Sequence, residues 1–527
     1  MIAEILQFDG HTSTVAVNAS LPLLSLIVFA PWAGAAVLAL MRGAPPAASR
    51  TLALIFSLAP LALGLVAAGS FDPSRTAPQF VEDSVWISAL NVHYHLGLDG
   101  LSLVLVLLTG LVTPAALLAS WRVDHCPRMF GALFLVLQGA ALGVFLALDF
   151  FHWFVFWELS LIPAFFLIKL WGGPGAARAA YQFVIYTIGG SAFMLVGFAA
   201  IYTATGTLDF HQLAQHGADG TLVAKLGART ASLVFVGVLL GLAVKVPLWP
   251  FHTWLPSAYA EAPTGGSMFL TGVMSKMGVY GFLRILWPIF PAQLHAAAPC
   301  LLWLALGGVV LGAYAAMKQT DLKRMVAYSS INHLSYCLLA LFAVSYATGR
   351  EGLHAEAATA ALSGTILQMF NHGLSAAALF CCVGILESRS GGKRGLNDFG
   401  GLRTVAPLFA GLCGISMFSS LGLPGLNGFV GEFLIFRGVF GLDAIAASVA
   451  CLGLLATAIF LLTFWQRVFH GPRAGAVTGG FADVRGIELA PLVPLVALMF
   501  VLGVWPQLLA GLINPLVTSW AGHLTLP

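Results

Sequence analysis

The chain has 527 residues, of which 59% are hydrophobic and only 9% are Asp, Glu, Lys or Arg, and its formal net charge is +3. Soluble domains carry about a quarter charged residues, so this composition excludes an ordinary water-soluble globule and describes a polytopic membrane protein. The thin positive charge forms no basic run, which excludes nucleic acid as a partner. The seven cysteines show no CxxC spacing and read as small core residues, and the start MIAEILQFDG lacks the basic region of a secretory signal.

A bilayer core about 30 Å thick takes about 20 apolar residues at about 1.5 Å each, and helices are the spanning element this pattern suits. In chain order the apolar runs predict an all-α protein of fourteen transmembrane helices, at 21–41, 51–69, 100–121, 130–148, 150–171, 180–204, 231–256, 262–286, 299–317, 320–344, 359–386, 405–442, 444–468 and 487–510. Pro247, Pro250 and Pro256 crowd the seventh, and Pro424, Gly425 and Gly428 interrupt the twelfth. Proline lacks an amide donor and clashes with the carbonyl four residues back, so both are predicted as broken helices. Backbone freed at a break is tolerated only where it is buried in protein or lines a wet cavity.

Helices 4–8 and 9–13 form two groups of five in which the broken helix is the fourth member. Because five is odd, the groups run through the membrane in opposite directions, the pattern of an inverted repeat with a transport site at the paired breaks. The expected division is 1–129 for the first three helices, 130–286 and 299–468 for the repeats, and 469–527 for the last helix and tail. Fifteen of the 24 Lys and Arg residues fall in connections after odd-numbered helices and six after even-numbered ones. That bias predicts the odd-numbered connections in the cytoplasm and both termini outside.

Glu158, Lys245, Lys276 and Glu432 interrupt long apolar stretches. A charge at mid-membrane costs roughly 2.5–3.5 kcal/mol on insertion scales, so each points to function. Counted from the span ends, Glu158 lies about 12 Å deep, Lys276 about 15 Å, His333 about 17 Å and His372 about 20 Å. Together with Lys245 and Glu432 beside the breaks, they predict a horizontal polar line. Lys245 ends a half-helix, where free carbonyls favour a cation, and Glu432 begins one, where free amides favour an anion. Glu158 and Lys245 read as a switch, since an approaching carboxylate holds a lysine proton and a receding one releases it; a buried pair of this kind can also be purely structural. His333 and His372 read as relay groups or as satisfied core histidines. Lys169 is close enough to a helix end to snorkel, while Asp99 and the Thr320–Asp321 pair read first as helix caps. Glu261 sits at the turn after the seventh helix, where proton uptake and capping are both open. His93 and His95 are expected in an external loop.

The segments KVPLWPFHTWLPSAYAEAPTGGSMFLTGVMSKMGVYGFLRI, KQTDLKRMVAYSSINHLSY, FNHGLSAAALF and LGLPGLNGFVGEFLIF resemble the antiporter-like membrane subunits of respiratory complex I, the NADH-quinone oxidoreductase. The resemblance runs from about residue 94 to about residue 470. A glutamate on the broken twelfth helix marks the M type, where the L and N types carry lysine, so Glu432 points to the M type. The resemblance implies proton translocation along a hydrated axis, with Glu158 and Lys245 as coupling pair, Lys276 as central relay, His333 and His372 as connecting groups and Glu432 as terminal donor. It also implies L-type and N-type neighbours in the lipid bilayer, no cofactor in this chain, and NADH, FMN, iron–sulfur clusters and quinone in partner subunits. Asn332 and Ser335, beside His333, depart from the Ser and Gly of many relatives. A multisubunit Na⁺/H⁺ antiporter and the membrane arm of an energy-converting hydrogenase share the same helices and stand as alternatives.

Overall fold

The computed structural model describes residues 22–349, 355–476 and 480–522. The apolar runs become α1 (Leu23–Leu40), α2 (Pro46–Ser70), α3 (Gly100–Ala119), α4 (Pro127–Leu146), α5 (Phe150–Trp171), α6 (Ala176–Thr205) and a first half-helix α7a (Ala228–Lys245). A short α7b (Leu255–Glu261) follows, then α8 (264–289), α9 (Pro291–Met317), α10 (Leu322–Ala347) and α11 (Ala355–Arg389). The chain closes with α12a (Pro407–Ser420), α12b (Asn427–Leu442), α13 (Ala444–Phe469), α14 (Leu489–Val504) and α15 (Gln507–Gly522).

Among the described residues twelve helices are long and apolar enough to cross a membrane, fewer than the fourteen expected. The two that fall short are the eighth and twelfth. In α8 the α-helical pattern passes twice into π turns, at Leu270–Met274 and Phe282–Leu286, on either side of Lys276. The twelfth run is divided between α12a and α12b by an identifiable stop signal. Leu423 N–H bonds back to Phe418 carbonyl and Gly422 N–H to Ser419 carbonyl, with Gly422 left-handed at φ +74°. This is the Schellman closure that glycine permits, and Pro424 then forbids continuation. In the seventh run α7a ends at Lys245, and α7b starts with Pro256 in its first turn, where a missing amide costs nothing. α5 also has an interruption, at Ser160, because Pro163 has no amide to offer the Leu159 carbonyl.

The most apolar window of α11 is wholly buried, whereas that of α2 is 28% buried, so α11 is the hub and α2 faces outward. α11 packs against α3, α8, α10, α12b, α14 and α15. It meets α12b along glycines. A Cβ on Gly438 would come 2.4 Å from Ala361 N, and one on Gly431 would come 2.9 Å from the backbone of Gln368. His93 and His95, expected in a loop, lie in a hairpin of β1 (Gln79–Ile87) and β2 (Val92–Leu98) over one end of the bundle.

Candidate functional site: a buried polar row

Each mid-depth residue is delivered by a feature of its helix. Lys276 lies between the two π turns of α8 and is fully buried. Ser275 N–H reaches Leu270 carbonyl in the π pattern, and Thr271 carbonyl accepts from Ser275 Oγ at 2.9 Å and from Lys276 Nζ at 2.5 Å. Lys276 Nζ also lies 2.8 Å from His372 Nδ1 on α11. The His372 and His333 rings stand 5.2 Å apart. His333 Nδ1, on α10, is 3.0 Å from Glu432 Oε1 on α12b. Four groups from four helices therefore form a continuous buried chain, Lys276–His372–His333–Glu432. The outer nitrogens, His333 Nε2 and His372 Nε2, have no partner. Glu432 lies over the break, where a Cβ on Gly422 would come 2.6 Å from its Oε2.

The other end of the row is built differently. Lys245 ends α7a, is 2% exposed, and its Nζ makes no hydrogen bond. The ammonium instead lies 4.9 Å from the Trp157 ring centroid and 6.0 Å from that of Phe183. Such a cation–π contact, when desolvated, contributes about 2 kcal/mol. Trp157 is fixed by donating from Nε1 to Ser191 Oγ of α6 at 3.0 Å. Glu158 follows Trp157 on α5, and its Oε1 is buried without a partner. The carboxylate and ammonium act on each other electrostatically. No ion pair joins them.

Two residues of this site were missed in the sequence. Gln368 Nε2 is 3.3 Å from Glu432 Oε1 and 3.4 Å from His333 Nδ1, and Trp157 stands over Lys245. The signal for Gln368 was present, since it precedes His372 by four residues and so shares its helix face. The Asn332 and Ser335 departures serve packing: Asn332 Nδ2 donates to Val309 carbonyl at 2.6 Å and Ser335 Oγ to Ile331 carbonyl at 2.7 Å.

Two ionic clusters flank the row at opposite ends of α5. At one, Glu261 Oε2 accepts from Gly175 N–H at 2.9 Å and Oε1 from Arg394 at 2.8 Å. Arg394 also pairs with Asp321 at 2.6 Å, and buried Lys323 pairs with Glu387 at 2.6 Å. Asp321 caps α10, as expected, by accepting from Arg324 N–H. At the other end Asp99 caps α3 and pairs with Arg284. Burial pushes the Asp99 carboxyl up, but the Arg284 charge and the Ser102 amide outweigh it and hold the group below its ordinary value. Asp149, capping α5, is pushed up to about 6 by burial, against the amides of His152 and Phe151. His95 Nδ1 meets Asp209 at 2.9 Å; burial lowers the imidazole, yet the bond and charge of Asp209 raise it overall.

The family model described as NADH:quinone oxidoreductase/Mrp antiporter, TM, matches residues 147–459, a stretch that holds every member of the row. The chain is 37% identical to NADH-quinone oxidoreductase subunit M of Rhodobacter capsulatus, over 94% of this chain and 95% of that protein. The chain belongs to the antiporter-like membrane subunits of this family, in the M type. This M-type chain is also 36% identical to F(420)H(2) dehydrogenase subunit M of Methanosarcina mazei, over 92% of this chain and 95% of that one. A chain of respiratory complex I from Thermus thermophilus with bound NADH superposes with a TM-score of 0.81 at 30% identity, over 95% of this chain and 99% of that chain. Membership makes the M-type chain a multi-pass membrane subunit of the translocase kind, a fold that occurs within multisubunit respiratory complexes. No group of three or more His, Cys, Asp or Glu among the described residues is placed to hold a metal ion.

Proposed function

We propose that this chain translocates protons along Glu158, Lys245, Lys276, His372, His333 and Glu432, coupled to redox chemistry in other subunits of an NADH-quinone oxidoreductase. The observation that carries it is the buried Lys276–His372–His333–Glu432 chain, in which each group touches the next. A proton donated by Lys276 Nζ to His372 Nδ1 leaves the second nitrogen free to release one toward His333, and His333 Nδ1 faces the Glu432 carboxylate. Glu158 sets the readiness of Lys245 to give up its proton, because a carboxylate near a buried ammonium favours the charged form. Moving one charge against about 100 mV takes about 2.3 kcal/mol, within reach of a change in ion-pair distance at low dielectric.

The same reading takes the divided eighth and twelfth runs as full spans, giving fourteen helices with inverted repeats at 130–286 and 299–468 between the flanking segments 1–129 and 469–527. The helix ends at Lys245 and before Asn427 supply the paired breaks. Both termini then lie in the periplasm, L-type and N-type subunits are the neighbours, and NADH, FMN, iron–sulfur clusters and quinone belong to partner chains. Glu261, held by Arg394 and the Gly175 amide, anchors the cytoplasmic end beside any proton uptake there.

The test is proton-to-electron stoichiometry in proteoliposomes of the purified complex. Glu158→Ala and Lys245→Ala are expected to lower it sharply, and full stoichiometry in both would remove the proposal. Redox-independent sodium exchange would instead favour a multisubunit antiporter.

A further inference from the structure

The seam between α11 and α12b carries more polar groups than packing requires. Asn371 Nδ2 donates to Asn427 carbonyl at 2.7 Å, and Asn427 Nδ2 reaches Asn371 carbonyl at 3.2 Å. Ser419 Oγ, on the far side of the break, donates to Asn427 Oδ1 at 2.6 Å. This clasp ties both half-helices of the interrupted run to α11. One turn away Gln368 is 2% exposed. Its Nε2 lies within hydrogen-bond reach of both Glu432 Oε1 and His333 Nδ1, while its Oε1 is buried without a partner. Gly431 makes this closeness possible, since a Cβ there would come 2.5 Å from Gln368 Oε1.

An amide has a donating and an accepting end of nearly equal size. With nitrogen toward Glu432 it donates to the ionised carboxylate. When His333 gives its Nδ1 proton to Glu432 Oε1, the imidazolium becomes neutral imidazole and the carboxylate becomes a neutral acid, whose new O–H points back at His333 Nδ1 until that ring turns to take its next proton, and then needs another acceptor. Gln368 Oε1 is the unused acceptor beside it. We infer that Gln368 is a positioning residue of the proton chain, whose amide turns over as the proton moves and holds Glu432 beside His333 in both of its protonation states. The inference rests on the proton-path reading above.

It is tested in the intact complex with Gln368→Met, which keeps volume and removes both hydrogen-bonding ends, alongside Glu432→Gln. The carboxylic C=O stretch that disappears in Glu432→Gln identifies the Glu432 band in infrared difference spectra. In Gln368→Met that band is expected at higher wavenumber, as for an acid without a hydrogen-bond partner, together with a lower proton-to-electron ratio and a pH profile displaced by about one to two units. If Gln368→Met prevents assembly, Gln368→Asn, whose amide is one methylene short of both partners, is expected to give the same displaced band. An unmoved band and an unmoved pH profile, in whichever of the two variants assembles, overturn the inference. Full pumping in Glu432→Gln would instead overturn the proton-path reading itself.

Discussion

From Lys276 to Glu432 every ionisable group lies in hydrogen-bond or ring contact with the next, one each from α8, α11, α10 and α12b. Between Glu158 and Lys245 no hydrogen bond is made, and the ammonium rests on the face of Trp157 instead. On the proton-path reading, small ring and rotamer motions pass the proton in the first region. In the second a side chain must swing or water must bridge, since polar groups beyond hydrogen-bond reach interact through an intervening water or by moving. On that reading, the contacted region is the wire and the uncontacted one is the point of control.

The sharpest way to break that contrast is to cut the wire. His372→Leu removes the ring that links Lys276 to His333, and proton translocation in proteoliposomes is expected to fall by about 10²- to 10⁴-fold, the usual contribution of a positioned acid–base group. A rate near that of the parent would mean that protons bypass the histidines.

The two regions should also respond oppositely in stability. Lys245→Met replaces an unpartnered buried ammonium with an apolar chain of similar volume, and is expected to leave the complex as stable or more so, by about 1–4 kcal/mol. Glu432→Leu strips a partner from His333 and Gln368 and is expected to destabilise by about 3–5 kcal/mol. Thermal unfolding in detergent checks both, and equal losses would show that Lys245 has a direct partner after all.

A smaller effect sharpens the role of Trp157. Trp157→Phe keeps a ring over Lys245 but loses the bond to Ser191 and weakens the cation–π contact, at a cost of about 1–2 kcal/mol. Proton release at the Lys245 end should become easier, because less holds the charged form, while the Lys276–Glu432 wire keeps its infrared signature.

The smallest effect lies outside the membrane, at the α5 cap. Asp149 stands at about 6 in the folded protein against 3.8 for the free group, so the folded state binds the extra proton between these values. Its contribution to stability is therefore fully present at low pH and is lost as pH rises from about 4 to about 6. The thermal unfolding midpoint in detergent should fall over that window, and Asp149→Asn should flatten the dependence.

Much of this was legible in the chain. The charges in apolar runs marked the row, because burying an unexplained charge is too costly to be incidental. Pro424, Gly425 and Gly428 foretold the division of the twelfth run, and the prolines from Pro247 to Pro256 that of the seventh, since backbone donors and steric limits are local properties of residue type. The sequence could not say that π turns would flank Lys276, that a hairpin would carry His95, or that Glu261 would be held by Arg394, more than a hundred residues away.

What the sequence by itself determined is which residues are ionisable, which apolar runs they interrupt and where helices must stop, all of which follow from composition and chain-local geometry. Which of those residues touch was decided only by the packing of helices around α11. A ring under Lys245, or an amide beside both His333 and Glu432, depends on angles between helices distant in the chain, and no local rule fixes those angles.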